Sequence, residues 1–349
     1  MPDRLVVALD AMGGDRAPEM IVGGAELARE RYPEISFLMV GDKAQLEDLL
    51  AGIPALRDVT EVRHTTQVVR DEDKPSTAIR QAKESSMRRA IDAVADGEAD
   101  CVVSAGNTGA LMAVAKFVLK MHPGIARPAI TTFFPTLKGE SCMLDLGANL
   151  QCDANNLVEF AVMGEVFART VLGIEQPTIG LLNIGVEELK GHEEIREAAA
   201  ILRETTLPIE FKGFVEGDDI AGGAVDVVVT DGFTGNIALK TAEGVANLYT
   251  GFLKQAFRSS LFARLSYPMI RRALSKVRTR TDPRRYNGAM LLGLNGIVIK
   301  SHGGTDELGF ANAIGVGVDM TRHGFISKIK DDFERLKADQ QSLQKAAVS

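Results

Sequence analysis

CVVSAGNTGALMAVAKFVL, residues 101–119, contains the unit from which the rest of the chain is built. Its first part, CVVSA (101–105), is apolar throughout instead of alternating, as a strand must be when both faces of its sheet are covered. A turn rich in Gly, Asn and Thr follows at once, and then ALMAVAKFVL, an apolar segment of helical length. Strand, tight turn and helix in that order build parallel α/β sheets.

The same unit recurs outward in both directions. LVVALD (5–10), ISFLMV (35–40), AITTFF (129–134), TIGLLNI (178–184) and VDVVVTD (225–231) read as further buried strands. Asp15 to Pro18 precedes a helical stretch to about Arg31, and Pro75-Ser76-Thr77 opens a long amphipathic segment to about Ala95. Asp153 caps a helix carrying Val158, Ala161, Val162, Val166 and Phe167. The expected fold class is α/β, with helices on both sides of a mostly parallel sheet. No Pro-, Ser- or Gln-rich linker divides the chain, so one domain spanning 1–349 is expected.

Near Asn247 the pattern changes. Leu248, Phe252, Phe257, Leu261 and Leu265 stand at helical spacing with basic residues between them, and Pro268 breaks the run into two arms. Ten basic residues face a single acid, Asp282, between Lys254 and Arg285, although the chain as a whole carries a net charge of −7. That net charge excludes nucleic-acid binding by the bulk of the molecule. The stretch 247–286 is expected to protrude as a basic helical arm. The amino terminus lacks the apolar length of a signal peptide or a membrane span, and the three cysteines have neither CxxC spacing nor a pairing pattern. A cytoplasmic protein without a disulfide framework or a metal site is expected.

Chemistry is expected where strands end and helices begin, because ligands of open α/β sheets bind there. In SAGNTGA, Gly106 and Gly109 let backbone N–H groups approach an anion, the helix start adds positive character, and Ser104, Asn107 and Thr108 add side-chain groups. TDGFTGN (230–236) repeats this with Asp231, Gly232, Thr234, Gly235 and Asn236. Lys190 in NIGVEELKG offers a point charge for phosphate or an oxyanion, LDLGAN adds Asp145 and Asn149, and His302 in KSHGG can act as base or donor. Taken alone, Asp231 also reads as a helix cap and SAGNTGA as a capped turn. The chain has no GxSxG, HExxH or GxxxxGK, and no GxGxxG backed by a ribose-binding acid, which disfavours serine hydrolases, P-loop kinases and ordinary dinucleotide enzymes.

These motifs, with DAMGGDRAP (10–18), RPA (127–129), FVEGDDI (214–220), VVVTDGFTGNIALKTAEG (227–244) and LLGLNGIVIKSHG (291–303), occur in an order that resembles the bacterial phosphate acyltransferases over nearly the full length. One departure is local. The family usually reads YGGAPLLG where this chain reads YNGAMLLG, residues 286–293.

The resemblance implies a Rossmann-like three-layer α/β/α sandwich of the isocitrate dehydrogenase/phosphotransacetylase type, acting as a homodimer without metal or nucleotide cofactor. It implies that inorganic phosphate takes a long acyl group from acyl carrier protein. The phosphate is expected in both Gly-rich turns with help from Lys190, while Asn107, Asn236 or His302 steadies the oxyanion. Arg264, Arg271, Arg272 and Lys276 of the arm are expected to meet the acidic carrier protein or an anionic membrane, beside a membrane-bound glycerol-3-phosphate acyltransferase that takes the product. A dimer bundle is the other reading of the arm. The rival functions are a phosphotransacetylase-like enzyme using acyl-CoA and a non-catalytic scaffold that senses anions.

Overall fold

A computed structural model describes residues 5–205, 209–259 and 282–335, with Phe262, Leu274, Ser275 and Thr279 between the last two spans. The eleven strands found there form one sheet: β1 (Val6–Asp10), β2 (Ser36–Gly41), β3 (Thr60–His64), β4 (Cys101–Ser104), β5 (Ala129–Pro135), β6 (Glu140–Leu144), β7 (Thr178–Leu182), β8 (Glu210–Val215), β9 (Val227–Val229), β10 (Ala289–Leu292) and β11 (Ile297–Lys300). Their order is β3-β2-β1-β4-β11-β10-β5-β6-β9-β7-β8.

Side chains alternate between two cores along each central strand, as the period of two requires. Val7 and Leu9 enter one core while Ala8 enters the other, and Ile297 and Ile299 divide from Val298 in the same way. The first core is closed by helices Glu19–Arg31, Ala154–Phe167 and Glu307–Arg322, the second by Ser86–Ala95 and Thr108–Leu119. This is the expected three-layer arrangement. Five strands escaped the sequence reading. β3 (TEVRH) and β8 (EFKGFV) are sheet edges with polar outer positions, while β6, β10 and β11 are only four or five residues long.

Two helical expectations need correction. The segment from Pro75 to Ala95 is two helices, Pro75–Gln81 and Ser86–Ala95, because Ser85 accepts from the Arg88 N–H and caps a new start. Helix Gly232–Arg258 runs through Asn247 without a break, so the helix that enters the expected arm starts at Gly232, with Gly235, Ala238 and Leu239 still packed on the body. At 27 residues it is about 40 Å long. It leaves the body with Val245, Leu248, Tyr249 and Phe252 exposed. Arg264, Arg271, Arg272, Lys276 and Pro268 lie outside the described residues. No helix among the described residues is long and apolar enough to cross a membrane.

Direction within the sheet decides where the sites fall. β11 and β10, β10 and β5, and β5 and β6 pair antiparallel, and every other pair is parallel. The sheet therefore holds two parallel blocks, β3-β2-β1-β4-β11 and β6-β9-β7-β8, which run in opposite directions. Ser104 pairs with Lys300 and Lys300 with Ala289 at one edge, whereas Cys101 pairs with Ile297, Ala129 with Leu292, and Leu144 with Val229 toward the other.

Candidate active site

At the Ser104 edge, β1, β4 and β11 are neighbours, and the chain order reverses between β1 and β4, which opens the crevice where such sheets take ligands. Three loops converge there. Ser104 donates its hydroxyl to Asp10 Oδ2 at 2.7 Å and accepts from the Gly106 N–H, which fixes the start of the SAGNTGA turn. Asn107 caps helix Thr108–Leu119 by accepting from the Ala110 N–H, and its Nδ2 donates to the Asp71 carbonyl. The DAMGGD loop lies directly on this turn: a β-carbon at Gly13 would stand 2.5 Å from Asp10 Oδ2 and 2.8 Å from the Gly106 nitrogen. Asp15 N–H donates to the Gly303 carbonyl and ties in the KSHGG loop.

Two buried charges underlie these loops. Burial pushes the Asp10 carboxyl above its ordinary range, against the opposing hydrogen bond from Ser104. Burial pulls the Lys300 ammonium down to about 8, against the opposing charges of Asp71, Asp10 and Asp15. Lys300 Nζ donates to the carbonyls of Ala105 and Ser301. Sequence reasoning passed over both residues, although each ends a strand within a quoted motif. His302 is exposed, with Nδ1 accepting from the Gly304 N–H.

The Asp145 edge carries the other predicted residues. Asp145 is fully buried and accepts from the N–H groups of Ile130, Gly147, Ala148 and Asn149 and from Asn149 Nδ2. Asn149 Nδ2 also donates to the Pro128 carbonyl. Both side chains hold the LDLGAN turn, with Asp145 fully buried beneath it and Asn149 also lining the neighbouring cleft. Asp231 caps helix Gly232–Arg258, accepting from the Thr234 N–H and hydroxyl. The Gly232 N–H donates to the Asn149 carbonyl and the Gly235 N–H to the Asp231 carbonyl. The amides of Gly232, Thr234 and Gly235 are thus satisfied internally, and they pack the TDGFTGN turn on LDLGAN while Asp231, Phe233 and Thr234 line the cleft. Asn236 is exposed and donates through Nδ2 to the Leu146 carbonyl, while Lys190 is exposed on the loop after β7.

Beside these residues lies an open cleft of about 1310 Å³, at the carboxyl ends of β7 and β9. Lys116 and Arg127 supply its positive groups, with His192 beside them and Asp153, Glu194 and Asp231 facing them, and Leu150 and Phe233 are exposed apolar walls. Lys116, His192 and the wall residues were not singled out from sequence. Arg127, which donates to the Gln151 carbonyl, was visible only within RPA.

The two predicted turns do not meet. Helix Thr108–Leu119 begins at the Ser104 edge and delivers Lys116 to the cleft at the Asp145 edge. At 1.5 Å per residue the path from Asn107 to Lys116 is about 14 Å. One phosphate held by both turns of one chain is excluded by that distance. The reason is directional: each turn follows the carboxyl end of its strand, and the two strands run oppositely.

The cysteines are poor nucleophiles. Cys101 and Cys142 are fully buried, and burial pushes both thiols up to about 12. Cys152 reaches about 12 by burial together with the charges of Asp145 and Asp231.

The phosphate acyltransferase of Rhodospirillum centenum is 63% identical over 349 residues, covering 100% of this chain and 98% of that one. The chain belongs to the phosphate acyltransferase family. The phosphate acyltransferase of Paramagnetospirillum magneticum is 60% identical over 97% of this chain and 96% of its own length. The family model described as fatty acid synthesis protein matches residues 5–328. Among solved structures, a phosphotransacetylase from Streptococcus pyogenes superposes with a TM-score of 0.61 at 16% identity, covering 92% of this chain and 95% of that one. The EutD phosphotransacetylase from Staphylococcus aureus gives 0.58 at 16% identity over 91% and 94%. At that identity the likeness is one of fold. Phosphate acyltransferases and phosphotransacetylases thus share the α/β architecture with its mostly parallel sheet, and this chain is an acyltransferase on that frame.

Proposed function

We propose that the protein transfers a long acyl group from acyl carrier protein to inorganic phosphate, releasing an acyl phosphate for phospholipid synthesis, and that it does so as a homodimer whose reaction centre joins the two sheet edges of different protomers. The observation that carries this reading is the separation just described, in a chain of the phosphate acyltransferase family. A thioester carbonyl needs its donors within about 3 Å, and one chain offers its polar groups at two places about 14 Å apart.

In this reading a phosphate oxygen attacks the thioester carbonyl, the C–O bond forms, the tetrahedral centre collapses, and the C–S bond breaks with the thiol leaving as thiolate. Phosphate is an anion at neutral pH, so charge neutralisation and positioning matter more than a strong base. Lys190 and Asn236 of one protomer stand two residues from His192 and Thr234, which line the cleft, and its apolar walls suit an acyl chain. The helix start at Asn107 and the exposed His302 come from the partner. The buried thiols argue against a covalent route through Cys142.

The exposed apolar helix Gly232–Arg258 and the basic run beyond it suit an acidic carrier protein and the anionic inner face of the cell membrane, with peripheral attachment in the cytoplasm. Charge reversal at Arg271 and Arg272 is expected to weaken binding to carrier protein or to anionic vesicles without unfolding the protein.

The direct test is phosphate-dependent release of thiol and of hydroxylamine-trappable acyl phosphate from long-chain acyl carrier protein, with acyl-CoA in parallel. Product from acyl-CoA alone favours a phosphotransacetylase, and no product from either favours a scaffold. Dimer assembly is tested by co-expressing Lys190→Ala and His302→Ala chains, each inactive alone. A shared centre restores about a quarter of wild-type activity, since half the dimers are mixed and each has one intact site. Centres confined to one chain restore none.

A further inference from the structure

The buried residue Asn287 departs from the family pattern, which usually carries glycine there, and it sits in the loop before β10 at the Ser104 edge. Its side chain is engaged by the KSHGG loop and by the first turn of helix Glu307–Arg322. Nδ2 donates to the Ser301 hydroxyl at 2.8 Å and to the Gly309 carbonyl at 2.7 Å, and Oδ1 accepts from the His302 N–H at 2.9 Å. The two backbone partners are an N–H and a C=O, so the amide can face only one way. A buried amide costs stability unless it is paired, and this one has three short bonds.

Two of those bonds meet Ser301 and His302, and the third anchors the amide to the helix at Gly309. The histidine's backbone is held by Asn287, and its ring is held by the Gly304 N–H donating to Nδ1 at 3.1 Å. With Nδ1 as acceptor, the neutral ring carries its proton on Nε2, the atom left for a substrate. The ring itself is exposed. A glycine at 287 would make none of the three side-chain bonds and would leave the Ser301 hydroxyl, the His302 N–H and the Gly309 carbonyl to find other partners.

We infer that Asn287 is a positioning residue in this chain: it locks the Ser301–Gly304 turn so that His302 presents its Nε2–H as a hydrogen-bond donor to the reacting oxygen. This rests on the reading of His302 as part of the acyl-transfer centre. Asn287 touches no substrate. It acts through the main chain of the residue that does.

The test compares Asn287→Gly, Asn287→Ala and Asn287→Asp in the full-length enzyme. Two readouts are taken, steady-state kinetics with acyl carrier protein and phosphate, and ring-nitrogen NMR of 15N-histidine protein. His302→Gln assigns the His302 signals among the 5 histidines. The wild type is expected to show one Nε2–H tautomer at His302. The Gly and Ala variants are expected to show both tautomers, with kcat lower by roughly tenfold and KM little changed, as for a misplaced catalytic donor. Asp keeps the acceptor for the His302 N–H but sets a carboxylate oxygen against the Gly309 carbonyl, so Asn287→Asp is expected to lose the lock as glycine and alanine do. Unchanged His302 signals in Asn287→Gly overturn the inference, as does a tautomer change without loss of kcat. Full activity of His302→Gln removes His302 from the reaction, a failure of the underlying reading that the NMR comparison keeps distinct from a failure to position the ring.

Discussion

Gly235 packs against the main-chain carbonyl of Asp145 so closely that a β-carbon at Gly235 would stand 2.0 Å from that oxygen. The first turn of helix Gly232–Arg258 therefore rests on the LDLGAN turn with no room for a side chain. Gly235→Ala must push the helix off its seat, and a loss of about 1–3 kcal/mol in stability is expected. Gly244 lies further along the same helix with nothing within 4 Å of its β-position. Gly244→Ala is expected to be neutral or to stabilise by up to about 1 kcal/mol. Denaturant midpoints of the two variants measured side by side check the contrast.

Asp145 is the acceptor that organises the same turn. Asp145→Asn replaces an acceptor-only carboxylate with an amide whose NH2 faces donors already aimed at it, and Asp145→Ala leaves those donors unpaired in the core. A loss of about 3 kcal/mol or more is expected for each. Because the turn floors the cleft, activity is expected to fall with it, and urea unfolding with parallel kinetics measures both.

Lys300 gives a pH signature. Its folded-state value near 8 lies below the ordinary 10.5, so between those values the unfolded chain binds more protons than the folded one. Stability contributed through Lys300 therefore rises with pH from about 8 to about 10.5, on the order of 2–3 kcal/mol across the window. The thiols act in the opposite sense above pH 9, since their folded values stand near 12. The wild-type protein minus Lys300→Met isolates the lysine, and that difference is expected to climb through the window. A flat difference would mean that the ammonium is solvated in the folded state.

Cys101 and Cys142 are expected to resist iodoacetamide at pH 8 in the folded protein and to react at once in denaturant, read by mass spectrometry. Cys142→Ala is expected to retain turnover. An acyl adduct on Cys142 after incubation with acyl donor in the absence of phosphate would falsify direct attack by phosphate.

Much of the fold was legible in the chain because its physics is local. A buried parallel strand must be apolar throughout, so the six long runs announced themselves, and Asp153 with Asn156 closes the capping box that its position suggests. The missed strands are those whose environment is not local: β3 and β8 are edges that tolerate charge, and β10 and β11 are short pieces held by their neighbours. The split of Pro75–Ala95 turned on Ser85, a cap hidden inside a continuous amphipathic pattern.

The site was legible in its parts and not in their arrangement. Residue type and spacing were enough to place Ser104, Asn107, Lys190, Asp231, Asn236 and His302 at strand ends, because a strand followed by a Gly-rich turn and a helix start exposes polar backbone wherever it occurs. Only the tertiary structure could decide which strand ends share an edge. That depends on the antiparallel pairings of β10 and β5, which reverse the direction of half the sheet and carry SAGNTGA and TDGFTGN to opposite sides. It also showed that Asp145 and Asn149 hold the turn, whose local N–H groups are joined by two partners from the preceding strand region, the Ile130 N–H and the Pro128 carbonyl. Composition and period record what each segment needs, whereas strand direction and hydrogen-bond partners are properties of how the segments pair.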